Sequence, residues 1–296
     1  MTDYPDARDA AGTDAWIAHR RRVLDVCYRM LGTLVDAEDA SQDTFLRLAR
    51  HGVEGIDDIV GWLVTAAGRV CLDRLRADTT RRHYIGPWLP APIVDQRASA
   101  DPADQITLDD SVRIALLTML EQLSPAERVV FVLHDVFGLT FEQTAESVGR
   151  TPAACRKLAS RARTVIRADP EPRFTVDASA ARAVVEQFAT ACQTGDLDAL
   201  IALLHPDVVG EFDSGGRIPG APVVAQVGGH SVAATLLYAL GGSTAAFHVL
   251  DVNTQPGIVV DLMGQTMAVL TFETDGKQIH AIRAIGNPDK LAHLNS

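Results

Sequence analysis

Residues 124–167 read SPAERVVFVLHDVFGLTFEQTAESVGRTPAACRKLASRARTVIR, and this stretch decides the fold. Ser124-Pro125-Ala126-Glu127 places a capping residue, a first-turn proline and a third-position Glu in the order that starts a helix. Thr140-Phe141-Glu142-Gln143 repeats the box with Gln, and Thr151-Pro152 opens a third helix in the same way. Only Gly149-Arg150 separates the second and third helices, a turn short enough to set them across each other as a helix-turn-helix. On the third helix Cys155, Leu158, Ala159, Ala162, Val165 and Ile166 fall at offsets 0, 3, 4, 7, 10 and 11, a core-facing stripe. Arg156, Lys157, Ser160, Arg163 and Arg167 take the opposite stripe, with Arg161 on its flank. From Arg150 to Arg167 there are six basic residues and no acidic one. A helix entering a major groove needs arginines for guanine edges and phosphates, and short residues at its N-terminus. Pro152, Ala153 and Ala154 permit that approach. A solvated basic face is the alternative for any charge run; three caps in register with a short Gly-containing turn favour DNA.

Working outward, helical periodicity extends back to Leu108, so this module covers 108–168. Upstream, Gly86-Pro-Trp-Leu-Pro-Ala-Pro92 and Ser99-Ala-Asp-Pro-Ala-Asp104 mark residues 86–107 as a linker. Before it, residues 14–85 form a helical block in which Ile17, Val23, Leu24, Cys27, Met30 and Leu31 recur at three-to-four spacing. A helix from Asp36 buries Ala37, Ala40, Thr44, Phe45 and Leu48. Its outer side carries Glu38, Asp39, Gln42, Asp43 and an exposed Leu46, a pattern suited to a basic protein surface, or else a plain solvated face. Downstream, Trp62, Arg69, Asp73, Arg74, Arg76, Arg81, Arg82 and His83 cluster. Arginines beside an aromatic hold phosphates and stack an unpaired base; the alternative is a Trp62 that fills the core.

Beyond the break Asp169-Pro170-Glu171-Pro172 the character changes, and residues 175–296 read as α+β. Helices are expected over about 178–194 and 197–204. Strands of an antiparallel sheet are expected at 207–212, 246–252, 257–263, 266–273 and 278–285, the last two joined by an Asp275-Gly276 hairpin. The chain has 296 residues, 47% of them hydrophobic, enough for several packed cores. Its net charge of −11 excludes a generally basic nucleic-acid coat. After Pro170 six basic residues face thirteen acidic ones, so the charge is uneven along the chain and the C-terminal part is the more acidic. Cys27, Cys71, Cys155 and Cys192 share no metal-type spacing, and neither a disulfide framework nor a metal or cofactor is implied. The acidic N-terminus lacks a signal-peptide pattern, and no apolar run is long enough for a bilayer; a cytoplasmic protein is expected.

Together these residues resemble the extracytoplasmic-function sigma factors of bacterial RNA polymerase. The Asp36-Ala-Glu-Asp…Gln42-Asp43-Thr-Phe-Leu46 helix is similar to the region 2 segment that docks on the β′ clamp helices, which implies core binding by Asp36, Glu38, Asp39, Gln42, Asp43 and Leu46. Gly61-Trp62-Leu63 through Leu72-Asp73-Arg74-Leu75-Arg76 looks like the segment that melts and reads the −10 element, implying Trp62, Arg69, Asp73, Arg74, Arg76, Arg81 and Arg82. Leu123 through Ser160-Arg161-Ala162-Arg163 looks like region 4, which contacts the β flap and reads the −35 element. That implies Arg150, Pro152, Ala153, Arg156, Lys157, Ser160, Arg161 and Arg163. Trp88-Leu89-Pro90, Asp213-Ser214-Gly215-Gly216-Arg217 and Asn287-Pro288-Asp289-Lys290 are similar to motifs of the subgroup with a C-terminal SnoaL-like domain. That domain is a cone-shaped α+β fold implied to regulate the sigma factor in cis. Ser214 stands where the subgroup pattern usually has Gly.

The implied architecture is therefore two all-α sigma modules, the second with a helix-turn-helix, followed by a SnoaL-like domain. The implied partners are core polymerase, promoter DNA and a small-molecule ligand for the cone's pocket. Two other readings compete. A one-component regulator would pair the helix-turn-helix with a ligand-sensing domain, but needs neither the acidic helix nor the Arg-rich segment. An enzyme would draw its acid and base from His205, Asp207, Asp213, His248 or Asp261, which form no paired motif. No catalytic residue is assigned.

Overall fold

In the computed structural model Thr33, Asp58, Ser124, Thr140, Thr151, Asp196 and Asn287 each cap the helix that follows them, while Asp177 stands at a helix start without a side-chain cap bond. Described are residues 7–78, 81–94, 112–168, 176–240 and 244–295; parts of the expected 86–107 linker and the 169–172 break lie outside them. The described residues divide into two compact units. One takes residues up to Asp78 and from Met119 onward through the helix-turn-helix; the other takes 81–94, 112–118 and the C-terminal part.

In the first unit, α1 (Ala7–Leu31), α2 (Leu34–His51) and α3 (Ile59–Ala77) form the N-terminal block. Thr33 and Asp58 side chains accept from the backbone N–H of Asp36 and Gly61, so α2 and α3 begin where an oxygen is available. Val26, Cys27, Tyr28, Met30, Leu48, Leu63 and Cys71 are buried between them. Each large apolar side chain removed from water stabilises the unit by about 1.5–3 kcal/mol.

The boundary between the units falls within α4 (Ile114–Glu121). After it, α5 (Pro125–Phe131), α6 (Phe141–Val148) and α7 (Pro152–Ala168) make the helix-turn-helix. Both capping boxes close. Glu127 N donates to Ser124 Oγ at 3.4 Å and Ser124 N returns to Glu127 Oε2 at 3.1 Å; the Thr140–Gln143 pair matches at 3.2 and 2.9 Å. Ala154 N donates to Thr151 Oγ1 at 3.2 Å. Gly149 turns the chain at φ 66°, a left-handed conformation open to glycine. One feature escaped the periodicity. Residues Val132–Val136 form a π turn, with Phe137 N donating to Val132 O at 3.0 Å. It brings the His134 ring onto Phe141, centroids 3.8 Å apart.

Within this unit α3 and α6 lie in hydrogen-bond contact: Ser147 Oγ donates to Thr65 O at 3.1 Å and Arg69 Nε to Glu146 O at 2.9 Å. Buried Arg128 donates to Met30 O at 3.0 Å and pairs with Glu121 at 2.7 Å.

The second unit contains α8 (Ala178–Thr194), α9 (Leu197–Leu203), β1 (Leu204–Asp213), β2 (Gln226–Val227), α10 (Gly229–Leu240), β3 (Ala246–Val252), β4 (Gln255–Leu262), β5 (Gln265–Thr274), β6 (Ile279–Ile285) and α11 (Pro288–Leu291). The sheet runs β2-β1-β6-β5-β4-β3. It is not wholly antiparallel: β1 pairs parallel to β6, a correction to the sequence expectation. Alternation reports which face a residue takes, not which strand lies beside it, and here the β3–β6 meander delivers β6 to the flank of β1. One sheet face packs Val208, Ile258, Leu270 and Phe272 under Val185, Phe188, Leu200 and Leu236 of the helices. The other face, through Val252, Val259, Val269 and Ile285, receives Leu89, Val94 and Leu291. Thus residues 89–94, within the expected linker, form a strap across the sheet, because this face would otherwise expose an apolar surface.

The hairpin forms at Asp275-Gly276. The backbone N–H groups of Gln278 and Lys277 donate to the Asp275 carboxylate at 2.7 and 2.8 Å and, Gln278 foremost, hold its pKa down at about 2.

Candidate functional site

On α7 the stripe of basic side chains faces water: Arg156, Lys157, Ser160 and Arg161 are exposed, as are Arg150 in the turn and Ala153; Pro152 and Arg163 are half-buried. Two of the arginines are engaged at once. Arg163 Nε donates to Asp135 at 2.6 Å, and Arg156 sits 3.3 Å from Glu142 and over the Phe141 ring. Cys155, Ala159 and Ala162 are buried beneath, while Leu158, Val165 and Ile166 are half-buried.

On α2, Glu38, Asp39, Gln42 and Leu46 are exposed and Asp36 and Asp43 half-buried. This surface is not independent of α3. Arg74 pairs with Asp43 at 2.6 Å and Asp39 at 3.8 Å, and Asp73 lies 3.9 Å from Arg47. Arg76 is exposed. Half-buried Trp62 packs on His51, centroids 5.2 Å apart, and lines a cavity of about 630 Å³ with Arg47, Asp58, Gln143 and Glu146. The wall thus takes in residues of α6, on the same side as the Arg69–Glu146 bond. Arg81 lies elsewhere: it belongs to the second unit, stacked 4.7 Å above Trp88. The Arg82 side chain is outside the described residues.

The motifs of the second unit converge on one carboxylate. Asp213, at the end of β1, is fully buried and salt-bridged to Lys290 Nζ at 2.6 Å. Leu89 N donates to its Oδ2 at 2.8 Å and the Tyr84 hydroxyl donates to Oδ1. Lys290 Nζ also donates to Leu89 O at 2.5 Å and lies 3.6 Å from the Trp88 ring centroid. Asn287 Nδ2 donates to the Tyr84 oxygen at 2.7 Å. Burial, then the bond to Asp213, pushes the Tyr84 pKa up, so its proton stays in place. Gly215 is required by close approach: at φ 57° a Cβ there would fall 2.6 Å from Asn287 Nδ2. Gly216 N donates to Ser214 Oγ at 3.3 Å, which gives the departing Ser214 a use. Pro90 is buried; Pro288 is exposed, and Arg217 and Asp289 form an exposed pair at 2.9 Å.

Of the five acid–base candidates, Asp213 lines the cone's cavity and is held by Lys290. His248 pairs with Asp261 across β3 and β4 at 3.5 Å, and His205 stacks on His280 while accepting from Asp207 N. No His/Cys/Asp/Glu cluster among the described residues is arranged for a metal, and no described helix is long and apolar enough to cross a membrane. Sequence reasoning missed Tyr84, Asn253 and His293. Tyr84 sits four residues before Trp88 and carried a signal, an aromatic beside a conspicuous motif; the other two carried none.

Two family models match the helical parts: sigma-70 region 2 over residues 16–81 and sigma-70 region 4 over 113–165. These define an RNA polymerase sigma factor. The chain is 38% identical to the probable ECF RNA polymerase sigma factor SigI of Mycobacterium tuberculosis over 95% of each chain, and 40% identical to SigJ of the same organism over 69% of this chain and 65% of that one. The crystal structure of SigJ superposes with a TM-score of 0.73 at 33% identity, covering 95% of this chain and 98% of that one. The chain belongs to the extracytoplasmic-function sigma factors, in the subgroup with a C-terminal SnoaL-like domain. It is an alternative sigma factor that directs transcription, and the one-component regulator is not favoured.

Proposed function

We propose that the chain docks on the β′ clamp helices through Glu38, Asp39, Gln42 and Leu46 with Asp36 and Asp43 behind them, and on the β flap through region 4. Trp62, Arg69, Asp73, Arg74 and Arg76 serve the −10 element; Arg150, Arg156, Lys157, Ser160, Arg161 and Arg163 serve the −35 element. The C-terminal domain regulates these contacts in cis through the 81–94 segment. The observation that carries the regulatory reading is the buried Asp213–Lys290 pair, because both charges close on the backbone of Leu89. A buried pair of this kind loses strongly when one partner leaves, so the linker is either docked or released.

The test is run-off transcription with core polymerase and the full-length chain, comparing wild type with Lys290→Ala. A several-fold change in core-dependent transcript at equal protein is expected. Identical output, with Trp88 fluorescence showing the strap undocked, removes regulation in cis.

A ligand for the C-terminal domain is favoured by one observation. A cavity of about 270 Å³ is lined by Phe212, Ile218, Leu236, Tyr238 and Met267 and reaches Asp213 and Ser214. Its apolar wall suits a small uncharged molecule. A thermal shift with naphthol-sized probes, abolished by Leu236→Trp, tests it.

A further inference from the structure

The loop from Ser214 to Val223 touches something different on each of its two sides. On its inner side Ser214, Ile218 and Pro222 line the cavity of about 270 Å³, together with Leu236 and Tyr238 of α10. On its outer side the same loop meets residues 84–86. A Cβ on Gly216 would lie 3.0 Å from Ile85 Cδ1, and one on Gly86 would lie 3.7 Å from Val223 Cα and 3.9 Å from Phe212 O. Between the two sides the loop is thin. It consists of two successive turns, closed by Arg217 N donating to Ser214 O at 2.9 Å and Ala221 N to Ile218 O at 3.2 Å, and it belongs to no helix or strand. Its anchors belong to the cluster around Asp213. Gly286 N donates to Asp213 O at 2.8 Å, and a Cβ on Gly286 would lie 3.3 Å from Ile218 Cδ1. The next residue, Asn287, holds the Tyr84 hydroxyl.

We infer that this loop couples the cavity to the strap: a small uncharged molecule in the cavity holds residues 84–94 docked on the sheet. The inference rests on the ligand reading proposed above. A molecule filling the cavity leaves the loop no room to move inward. Its outer side then stays against Ile85 and Gly86, and Asp213 stays bonded to Leu89 N. A segment held by two turns opens at small cost, which makes its state one that a ligand can set. The class of ligand follows from the wall. Among the described lining residues Asp213 is the one charged side chain, and its carboxylate is taken up by Lys290, Leu89 N and the Tyr84 hydroxyl. An ion would enter unpaired and at high cost. An apolar ring carrying a hydroxyl finds Phe212, Leu236 and Met267, with the Thr235 and Tyr238 hydroxyls beside them. Such coupling is reciprocal: the factor by which the molecule favours docking is the factor by which the docked strap tightens the molecule.

The test is amide hydrogen exchange of the full-length chain, read by mass spectrometry with and without saturating 2-naphthol. Peptides spanning 84–94 are expected to exchange about fivefold more slowly, or slower still, with the probe bound, the lower end of ordinary coupling between two sites. Strand β3, which contributes nothing to the cavity, should keep its rate. Ile85→Ala removes the outer contact, and because that side chain is 56% exposed the variant folds. It should bind the probe several-fold more weakly and, once saturated, lose the added protection. Exchange at 84–94 that bound probe leaves unchanged, or slows only as much as β3, overturns the coupling and leaves the ligand reading in place. Full protection that survives in Ile85→Ala overturns the route through the loop, and the inference with it. A thermal shift by 2-naphthol that is absent, or that Leu236→Trp leaves intact, removes the ligand reading and this inference together.

Discussion

The charges on α7 and the charges around Asp213 obey different physics. Arg163 and Asp135 meet at 2.6 Å with side chains 39% and 19% exposed, and Arg156 with Glu142 is more exposed still. Such pairs contribute little and are screened by salt, so a phosphate or a base edge can replace either carboxylate at small cost. Lys290 and Asp213, at 4% and 0% exposed, have no such option. Water does not reach them to replace a lost partner. The first kind of surface is built to exchange partners, the second to hold one arrangement until it is given up whole.

The most damaging change should therefore be Lys290→Ala, which strands the Asp213 carboxylate together with the backbone of Leu89. Removing one partner of a buried pair costs about 3–5 kcal/mol. Denaturant unfolding should show that loss in the transition of the C-terminal unit; a shift under about 1 kcal/mol would mean the pair is hydrated and the contrast with α7 is false. Next in size is Arg161→Ala on α7. It should leave unfolding unchanged and cost about 1–3 kcal/mol in promoter binding by the holoenzyme if Arg161 reads a base, with relaxed specificity at one −35 position. A uniform loss across sequences with a flatter salt dependence would reassign it to a phosphate.

How much of this was legible follows from the same contrast. The helix-turn-helix was written in local chemistry, since Ser124, Thr140 and Thr151 each cap within three residues of themselves, and local rules suffice to read them. The exposed basic stripe of α7 was equally plain. The motifs holding Leu89, Asn287 and Lys290 were visible, but their meeting at Asp213, and the part of Tyr84 in it, was not: these residues join across up to about two hundred positions. Residues 89–94 read as linker because proline excludes a helix, and proline says nothing of an apolar sheet face that accepts a strap. The parallel β1–β6 pairing was hidden for the same reason. Asn253 reads as an ordinary turn residue, and its bond to Val112 O exists only once Val112 has been brought to it.

A smaller effect probes the strap by pH. His293 donates from Nε2 to Pro92 O at 2.9 Å, and burial pushes its pKa below the ordinary histidine value of 6.5. The neutral ring is the one the folded state favours. Its contribution is present above about pH 6.5, where the unfolded chain is also neutral, and is lost as pH falls through the depressed folded value. Trp88 fluorescence should report progressive undocking on acidification, and His293→Gln, which retains a donor but does not titrate, should flatten that response. An unchanged pH profile in the glutamine variant would locate the acid sensitivity elsewhere in the strap.

The smallest effect belongs to the exposed side of the contrast. Arg74 bridges Asp43 at 2.6 Å and Asp39 at 3.8 Å with side chains one-third to three-fifths exposed, so a double-mutant cycle of Arg74→Ala and Asp43→Ala should give a coupling of about 0.2–1 kcal/mol in unfolding. The same cycle read in core-polymerase binding should differ in kind. If Asp43 faces the clamp, Arg74→Ala frees its carboxylate and tightens binding at low salt, an advantage that fades as ionic strength rises. Tightening that survives at high salt would show that Arg74 acts by shape rather than by charge, and would place α2 on the same footing as the buried knot.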